Sequence, residues 1–255
     1  MCRSCFNLIL ITIFAISFSL SASAQSLFSR QQGISNVPER GLVIVAGGGI
    51  AAIKSDICGS WGCNNFGPNV SVGALYKLTP YVGVGGSIDY NRLGATEKDP
   101  SRSLNITFQS EVIEVSATAV LNLLDSYAGS ANYRSSRKRF LVPYIRAGIG
   151  FVYYTPTSFP GDGDLNDSQI TYDPLRKYPA IAAVVPVAGG LRFRLNDEVS
   201  LAGELIYHVT TTDYLDNIGG SIGNPGNKDH YGVAAIKVMY TPVVKNKIFS
   251  RKYER

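Results

Sequence analysis

Charge is scarce in this sequence. Asp, Glu, Lys and Arg together make 17% of it, against about 25% for an ordinary soluble domain. Long apolar runs are scarce too. Beyond residue 24 no segment approaches the roughly 18 consecutive apolar residues of a membrane-spanning helix. Helical hydropathy alone would therefore describe a soluble periplasmic protein. The 26 Gly and 15 Tyr argue against that reading. Few charges, many glycines and many tyrosines suit closely spaced strands with aromatic girdles at two membrane interfaces.

The beginning of the chain carries an address. Arg3 supplies a positive region, Leu8 to Leu20 is largely apolar, and Ala22-Ser23-Ala24 is a small-x-small cleavage pattern. Residues 1–24 are therefore expected to be a secretory signal peptide, with Gln25 opening the mature chain and 25–40 forming a periplasmic segment. A retained anchor is the alternative, but the apolar run is shorter than the ~20 residues a spanning helix needs. Cys2 and Cys5 precede the run and do not resemble a lipid-attachment cysteine. Cys58 and Cys63 follow it, flanked by glycines. In an oxidising compartment the expectation is a loop-closing disulfide. A metal site is the weaker reading, because no second Cys or His pair accompanies them.

From residue 41 onward, alternating stretches are separated by turn chemistry. In Tyr81 to Leu93, Val82, Val84, Gly86, Ile88 and Tyr90 share one face and Gly83, Gly85, Ser87, Asp89 and Asn91 the other. The same period runs through Thr107–Leu124, Phe140–Tyr154, Ile181–Leu195 and Val199–Thr211. Less regular strands are expected at 41–53, 67–77 and 229–241. Eight is an even number, as bacterial single-chain barrels require. The predicted fold is all-β, an eight-stranded antiparallel up-and-down transmembrane β-barrel over residues 41–242. The inward set includes Glu114, Arg146, Arg192, Arg194, Glu204 and His208. An eight-stranded barrel is just wide enough for side chains to fill. These mixed charges are expected to pair across the lumen and plug it, which makes a wide porin channel improbable.

Connections alternate in length. Leu78-Thr79-Pro80 and Asn196-Asp197 are tight, whereas 54–66, 94–106, 155–179 and 213–228 are long and mostly rich in Gly, Pro, Asn and Asp. Long connections are usually extracellular, so both termini are expected in the periplasm. Asp125 to Arg139 breaks the alternation, being long yet on the periplasmic side. It carries Arg134, Arg137, Lys138 and Arg139. A basic tail over 243–255 follows the last strand, with Lys245, Lys247, Arg251, Lys252 and Arg255. Both basic segments are candidate periplasmic contacts; a solvated polar turn and a solvated tail are the plainer readings.

Two motifs imitate enzyme chemistry. LVIVAGGGIAA at 42–52 approaches a dinucleotide-binding fingerprint, but Ser55, Cys58, Gly59, Gly62 and Pro68 follow where a helix is required, and no acidic residue stands at the required distance. A glycine-rich first strand fits better. His208, Asp213 and a serine can be drawn as a triad, yet His208 falls on the lumen face, where filling the barrel is reason enough for a polar ring. No catalytic residue, cofactor, metal or small-molecule substrate is assigned, and no nucleic-acid partner.

Several segments resemble the PorG-type small outer-membrane barrels of Bacteroidetes, associated with the type IX secretion system. Phe108-Gln109-Ser110-Glu111-Val112-Ile113-Glu114-Val115-Ser116 is similar to the family's F-x-S-x-I-x-E-L-S strand. Pro143-Tyr144-Ile145-Arg146-Ala147-Gly148-Ile149-Gly150-Phe151, leading to Tyr154-Thr155-Pro156, fits as well. Thr211-Thr212-Asp213-Tyr214-Leu215-Asp216-Asn217-Ile218 is similar to an F-T-D-Y-L-D-D-V segment. Gly223-Asn224-Pro225 and Asn227-Lys228-Asp229-His230-Tyr231 continue the likeness. The glycine-rich segment expected around Gly161 to Lys177 is missing, and the Cys58/Cys63 loop looks peculiar to this chain. The resemblance implies a non-catalytic accessory of secretion, held in outer-membrane lipid and touching periplasmic ring proteins of the machine. Asp213, Tyr214 and Asp216 are expected to shape the base of the last external loop. A structural or surface barrel without a secretion role is the alternative.

Overall fold

A computed structural model of the chain describes residues 41–55, 58, 61–97, 106–124, 140–160, 177–196, 198–218 and 228–242. The signal peptide, the 25–40 segment, the basic cluster at 134–139 and the tail from 243 lie outside these residues.

Eight strands close into one barrel in sequence order: β1 (Gly41–Lys54), β2 (Gly67–Lys77), β3 (Val82–Thr96), β4 (Ile106–Asn122), β5 (Leu141–Pro160), β6 (Ala180–Arg194), β7 (Val199–Thr210) and β8 (His230–Tyr240). Every neighbouring pair is antiparallel, and β8 closes onto β1. The predicted fold class is therefore the one observed. One trip around the wall fixes the stagger. Leu42 pairs with Tyr76, then the path runs through Val84, Ala119, Ala147, Val187, Tyr207 and Gly232 to Ala52, ten residues beyond its start on β1. A shear of that size on eight strands sets a tilt of about 40°.

Alternation decides which side chains face out. On β4, Ile113, Val115, Ala117, Ala119 and Leu121 are exposed while Glu114, Ser116, Thr118 and Asn122 are buried. From Ile113 to Leu123 the outward row spans about 33 Å of strand, or about 25 Å along the axis at that tilt, matching an apolar membrane band. Tyr76, Tyr240, Phe140 and Phe193 lie on the outer wall near one rim, the two phenylalanines edge to face at 5.9 Å. Tyr90, Tyr153 and Tyr207 lie nearer the other.

The tight connections are built by side-chain acceptors. Thr79 Oγ1 accepts the N–H of Tyr81 at 3.2 Å and of Val82 at 2.9 Å. Asn196 Oδ1 does the same for Glu198 at 2.9 Å and Val199 at 2.6 Å. Short polar side chains that capture the next N–H groups reverse the chain in few residues. These turns mark one rim, called here the turn end; the opposite rim is the loop end.

One boundary differs from expectation. β5 does not stop at Tyr154 but continues to Pro160, paired with β4 down to Ile106. Pro156 and Pro160 read as loop chemistry. Thr155, Thr157 and Phe159 nevertheless keep the strand going, because β4 supplies a partner for each.

The glycines of the first strand have a packing role. Gly47 and Gly49 face inward, and a Cβ on Gly49 would stand 2.1 Å from the Ala234 carbonyl oxygen. The nucleotide-like spacing thus belongs to a wall where β1 and β8 approach too closely for side chains.

Candidate functional site

The turn-end half of the lumen is organised around Glu204 on β7. Its Oε2 lies 2.6 Å from Lys237 Nζ on β8 and 3.2 Å from Arg146 Nη2 on β5, and its Oε1 accepts the Tyr144 hydroxyl at 3.2 Å. Register explains how β5 reaches past β6. Tyr144 pairs with Gly190, and Gly190 pairs with Glu204. A Cβ at Gly190 would sit 2.6 Å from Tyr144 Cζ, so only glycine leaves the tyrosine its path. One register step on, Arg146 lies opposite Ala188, another small residue.

Arg192 occupies the same half. Its guanidinium lies 5.1 Å from the Tyr144 ring centroid, Nη1 donates to Asn122 Oδ1 at 3.4 Å, and Nε donates toward Met239 Sδ at 3.2 Å. Asn122 in turn donates to the Pro80 carbonyl at 2.7 Å, tying the cluster to the first tight turn. Within these side chains lies a cavity of about 40 Å³. Ligand pockets are typically about 300–1,000 Å³, so no drug-sized solute fits.

Toward the loop end a second buried carboxylate is held from across the lumen. Glu114 on β4 receives the Tyr231 hydroxyl at 2.5 Å and lies 2.7 Å from His208 Nδ1. His208 and Tyr231 face each other across the β7–β8 ladder, with rings stacked at 4.1 Å. Asp89, directly opposite Glu114, accepts instead from Ser87 Oγ at 2.7 Å, and Asn69 donates to Asn91 at 2.7 Å. Two carboxylates side by side repel; here each turns to its own donors.

The proposed inward set thus falls into two groups. Arg146 meets Glu204, and His208 meets Glu114, while Arg192 sits on Tyr144 and Asn122. Arg194 is half-buried at the turn-end rim, where its backbone N–H donates to the Phe140 carbonyl at 2.8 Å. Lys237 and Tyr231 were not anticipated. On β8 the structure buries Tyr231, Val233, Ala235, Lys237 and Met239 at every second position, a face too apolar for the sequence alternation to single out the two polar side chains.

Nearer the loop end an apolar cluster fills the lumen. Ile53, Leu93, Phe108, Val112, Val152 and Tyr154 form a buried cluster. Leu215 and Ile218, beyond β7, pack into it, as do Cys58 and Cys63. The segment from Thr211 to Ile218 is secured by polar ties. Tyr154 OH and Thr212 Oγ1 are 2.8 Å apart, Asp229 Oδ2 accepts the Leu215 N–H at 2.8 Å, and Asn217 donates to Ser158 Oγ at 3.0 Å. Asn217 adopts φ 64°, a left-handed conformation that asparagine tolerates better than most residues. Asp216, fully buried, accepts the Ile218 N–H at 2.9 Å. Asp213 is buried beside it, and Tyr214 packs on the apolar cluster. Cys58 and Cys63 are joined by a disulfide, with Cα atoms 5.6 Å apart. Asn64 completes the loop by accepting the Ile53 N–H at 2.7 Å and donating to Cys58 Sγ at 3.1 Å.

Solved structures with similar folds include Neisserial surface protein A, at 14% identity and TM-score 0.45, covering 79% of this chain and 97% of that one. Ail of Yersinia pestis, in complex with the heparin analogue sucrose octasulfate, has 15% identity, TM-score 0.42 and coverage of 79% and 98%. The outer membrane enzyme PagL has 14% identity, TM-score 0.33 and coverage of 78% and 99%. No curated protein matches the chain. The family model described as outer membrane protein beta-barrel domain matches residues 10–241. With nearly the whole chain matched and a closed eight-stranded wall banded in apolar side chains, this protein belongs to the outer membrane protein beta-barrel domain family.

Proposed function

We propose that this barrel is a non-catalytic accessory of a protein secretion machine of the type IX kind. It is anchored in outer-membrane lipid and works through its two ends. The observation that carries this reading is the filled lumen. Glu204 and Glu114 each bind donors from facing strands, and the apolar cluster closes the loop end. A barrel packed in this way serves as an anchor and a platform, not a conduit.

The secretion assignment draws on the resemblance of the 108–116, 143–156 and 211–218 segments to PorG-type barrels. In this reading the turn end and both termini face the periplasm, and Arg134, Arg137, Lys138, Arg139, Lys245, Lys247, Arg251 and Lys252 meet the ring proteins of the machine. A non-catalytic role is supported by His208, which is buried, stacked on Tyr231 and engaged by Glu114. A surface barrel without a secretion role is the second reading. The disulfide between Cys58 and Cys63 and the buried tie from Asp229 to Leu215 favour it, since a cap secured in this way at the loop end is a firm base for surface loops.

The test is deletion of the gene in its native host, with secreted cargo proteins quantified in the medium. Loss of many cargos at once, restored by the full-length gene, is the expected result. A complementing chain that ends after Pro242 tests the tail: failure despite normal membrane insertion assigns the contact to it. Normal secretion from a deletion strain with an intact envelope overturns the secretion reading and leaves the surface barrel.

A further inference from the structure

We infer that the outer wall at the β1–β8 seam holds the phosphate headgroup of an anionic lipid, in the leaflet that meets the loop end. The outward faces of β1, β2, β7 and β8 are apolar, small or tyrosine along almost their whole length. The exceptions form one cross-strand pair, Lys54 opposite His230. Lys228, exposed, stands two residues before His230. Lys54 lies twelve residues along β1 from Leu42, about 40 Å of strand, or about 30 Å along the axis at a tilt of about 40°. That is just past an apolar band of about 25 Å, at the height of lipid headgroups.

Charge balance singles out this seam. On the opposite wall Arg92 faces Glu111 across the β3–β4 ladder, and the Tyr90 hydroxyl donates to that carboxylate at 3.2 Å. Positive charge there is matched. Lys54, Lys228 and His230 have no carboxylate partner among the described residues. Asp229, between the last two, is buried in the barrel and accepts the Leu215 N–H. Lysine ammonium groups bind phosphate as point charges. Below the pair the wall is low. Ala52 pairs with Gly232 and Ile50 with Ala234, while Tyr207 lies beside Gly232 with its ring 5.7 Å from His230. An acyl chain descending from the bound phosphate enters this step, bordered by the exposed side chains of Tyr207 and Ile50. A soluble anion gains nothing from it, so the occupant is a lipid.

The test uses the full chain in phosphatidylcholine nanodiscs containing a phosphatidic acid with a photoreactive group in its acyl chain. Crosslinked peptides are mapped by mass spectrometry and normalised to a phosphatidylcholine bearing the same group. Enrichment is expected on the outward residues of β1 and β8, from Ile50 to Lys54 and from His230 to Ala234. Lys54→Gln should lower it about fivefold, the effect of one basic residue at a membrane surface, and Lys54→Arg should keep it. Arg92→Gln, on the opposite wall, should leave it unchanged. The shift in electrophoretic mobility on heating checks that each variant is folded. Inorganic phosphate at constant ionic strength should not compete. An even distribution around the barrel, enrichment that survives Lys54→Gln combined with Lys228→Gln, or displacement by inorganic phosphate would overturn the inference.

Discussion

Tyr144 crosses the backbone of Gly190 to place its hydroxyl 3.2 Å from Glu204, joining β5 to β7 over the top of β6. The contact exists because position 190 has no side chain. Gly190→Val should displace the ring, leave a buried hydroxyl and carboxylate short of partners, and cost about 1–3 kcal/mol. Gly189→Ala, one residue away on the outward face with open space around it, should be nearly neutral. Unfolding in urea, followed by the change in electrophoretic mobility between folded and heated samples, separates the two.

Glu114 and Glu111 lie on one strand but differ in surroundings. Glu114 is buried against His208 and Tyr231, whereas Glu111 faces outward near Tyr90. Glu114→Ala should destabilise by about 3–5 kcal/mol, the cost of breaking a buried pair. Glu111→Ala should stay within about 0.5 kcal/mol. The same urea titration reads both, and comparable losses would mean that Glu114 is not the anchor described.

The cap depends on a short covalent loop. Removing the crosslink between Cys58 and Cys63, five residues apart, should cost about 2 kcal/mol by loop-closure entropy. The effect should be local. In a Cys58→Ala, Cys63→Ala variant, limited proteolysis is expected to cut first near the loop end, with the barrel fragment surviving.

Orientation is open to chemical labelling. With the loop end outside, Asn65→Cys should react with a membrane-impermeant maleimide on intact cells, and Thr79→Cys should react only after the envelope is opened. The reverse pattern would put the turn end outside and remove the periplasmic termini from the proposed function.

Most of the wall was legible in the sequence because lipid imposes a simple rule. Outward positions such as Ile145, Ala147, Ile149 and Phe151 must be apolar whatever the partner strand, so a period of two survives in isolation. The lumen obeys no such rule. Phe108, Val112 and Val152 face inward beside Leu215 and Ile218, and nothing local in the sequence announces that a distant segment will return to cover them. Lys237 is hard to read for a related reason: its partner Glu204 is on another strand, and the apolar inward residues Val233, Ala235 and Met239 of its own strand blur the alternation. The end of β5 reads as a loop because TPTSFP carries two prolines, and only pairing with β4 overrides that local signal.

The filled lumen is the claim on which the functional account stands, and planar-bilayer conductance of the refolded full chain tests it most directly. The account predicts no stable open-channel steps at neutral pH over a range of applied voltages. It also predicts that Tyr144→Ala combined with Arg192→Ala, which strips the bulk from the turn-end half, introduces at most brief openings while the apolar loop-end cluster remains. Steady ohmic conductance from the unaltered chain, changed in size by substitutions at Glu204 or Lys237, would contradict it and identify the lumen as a pathway.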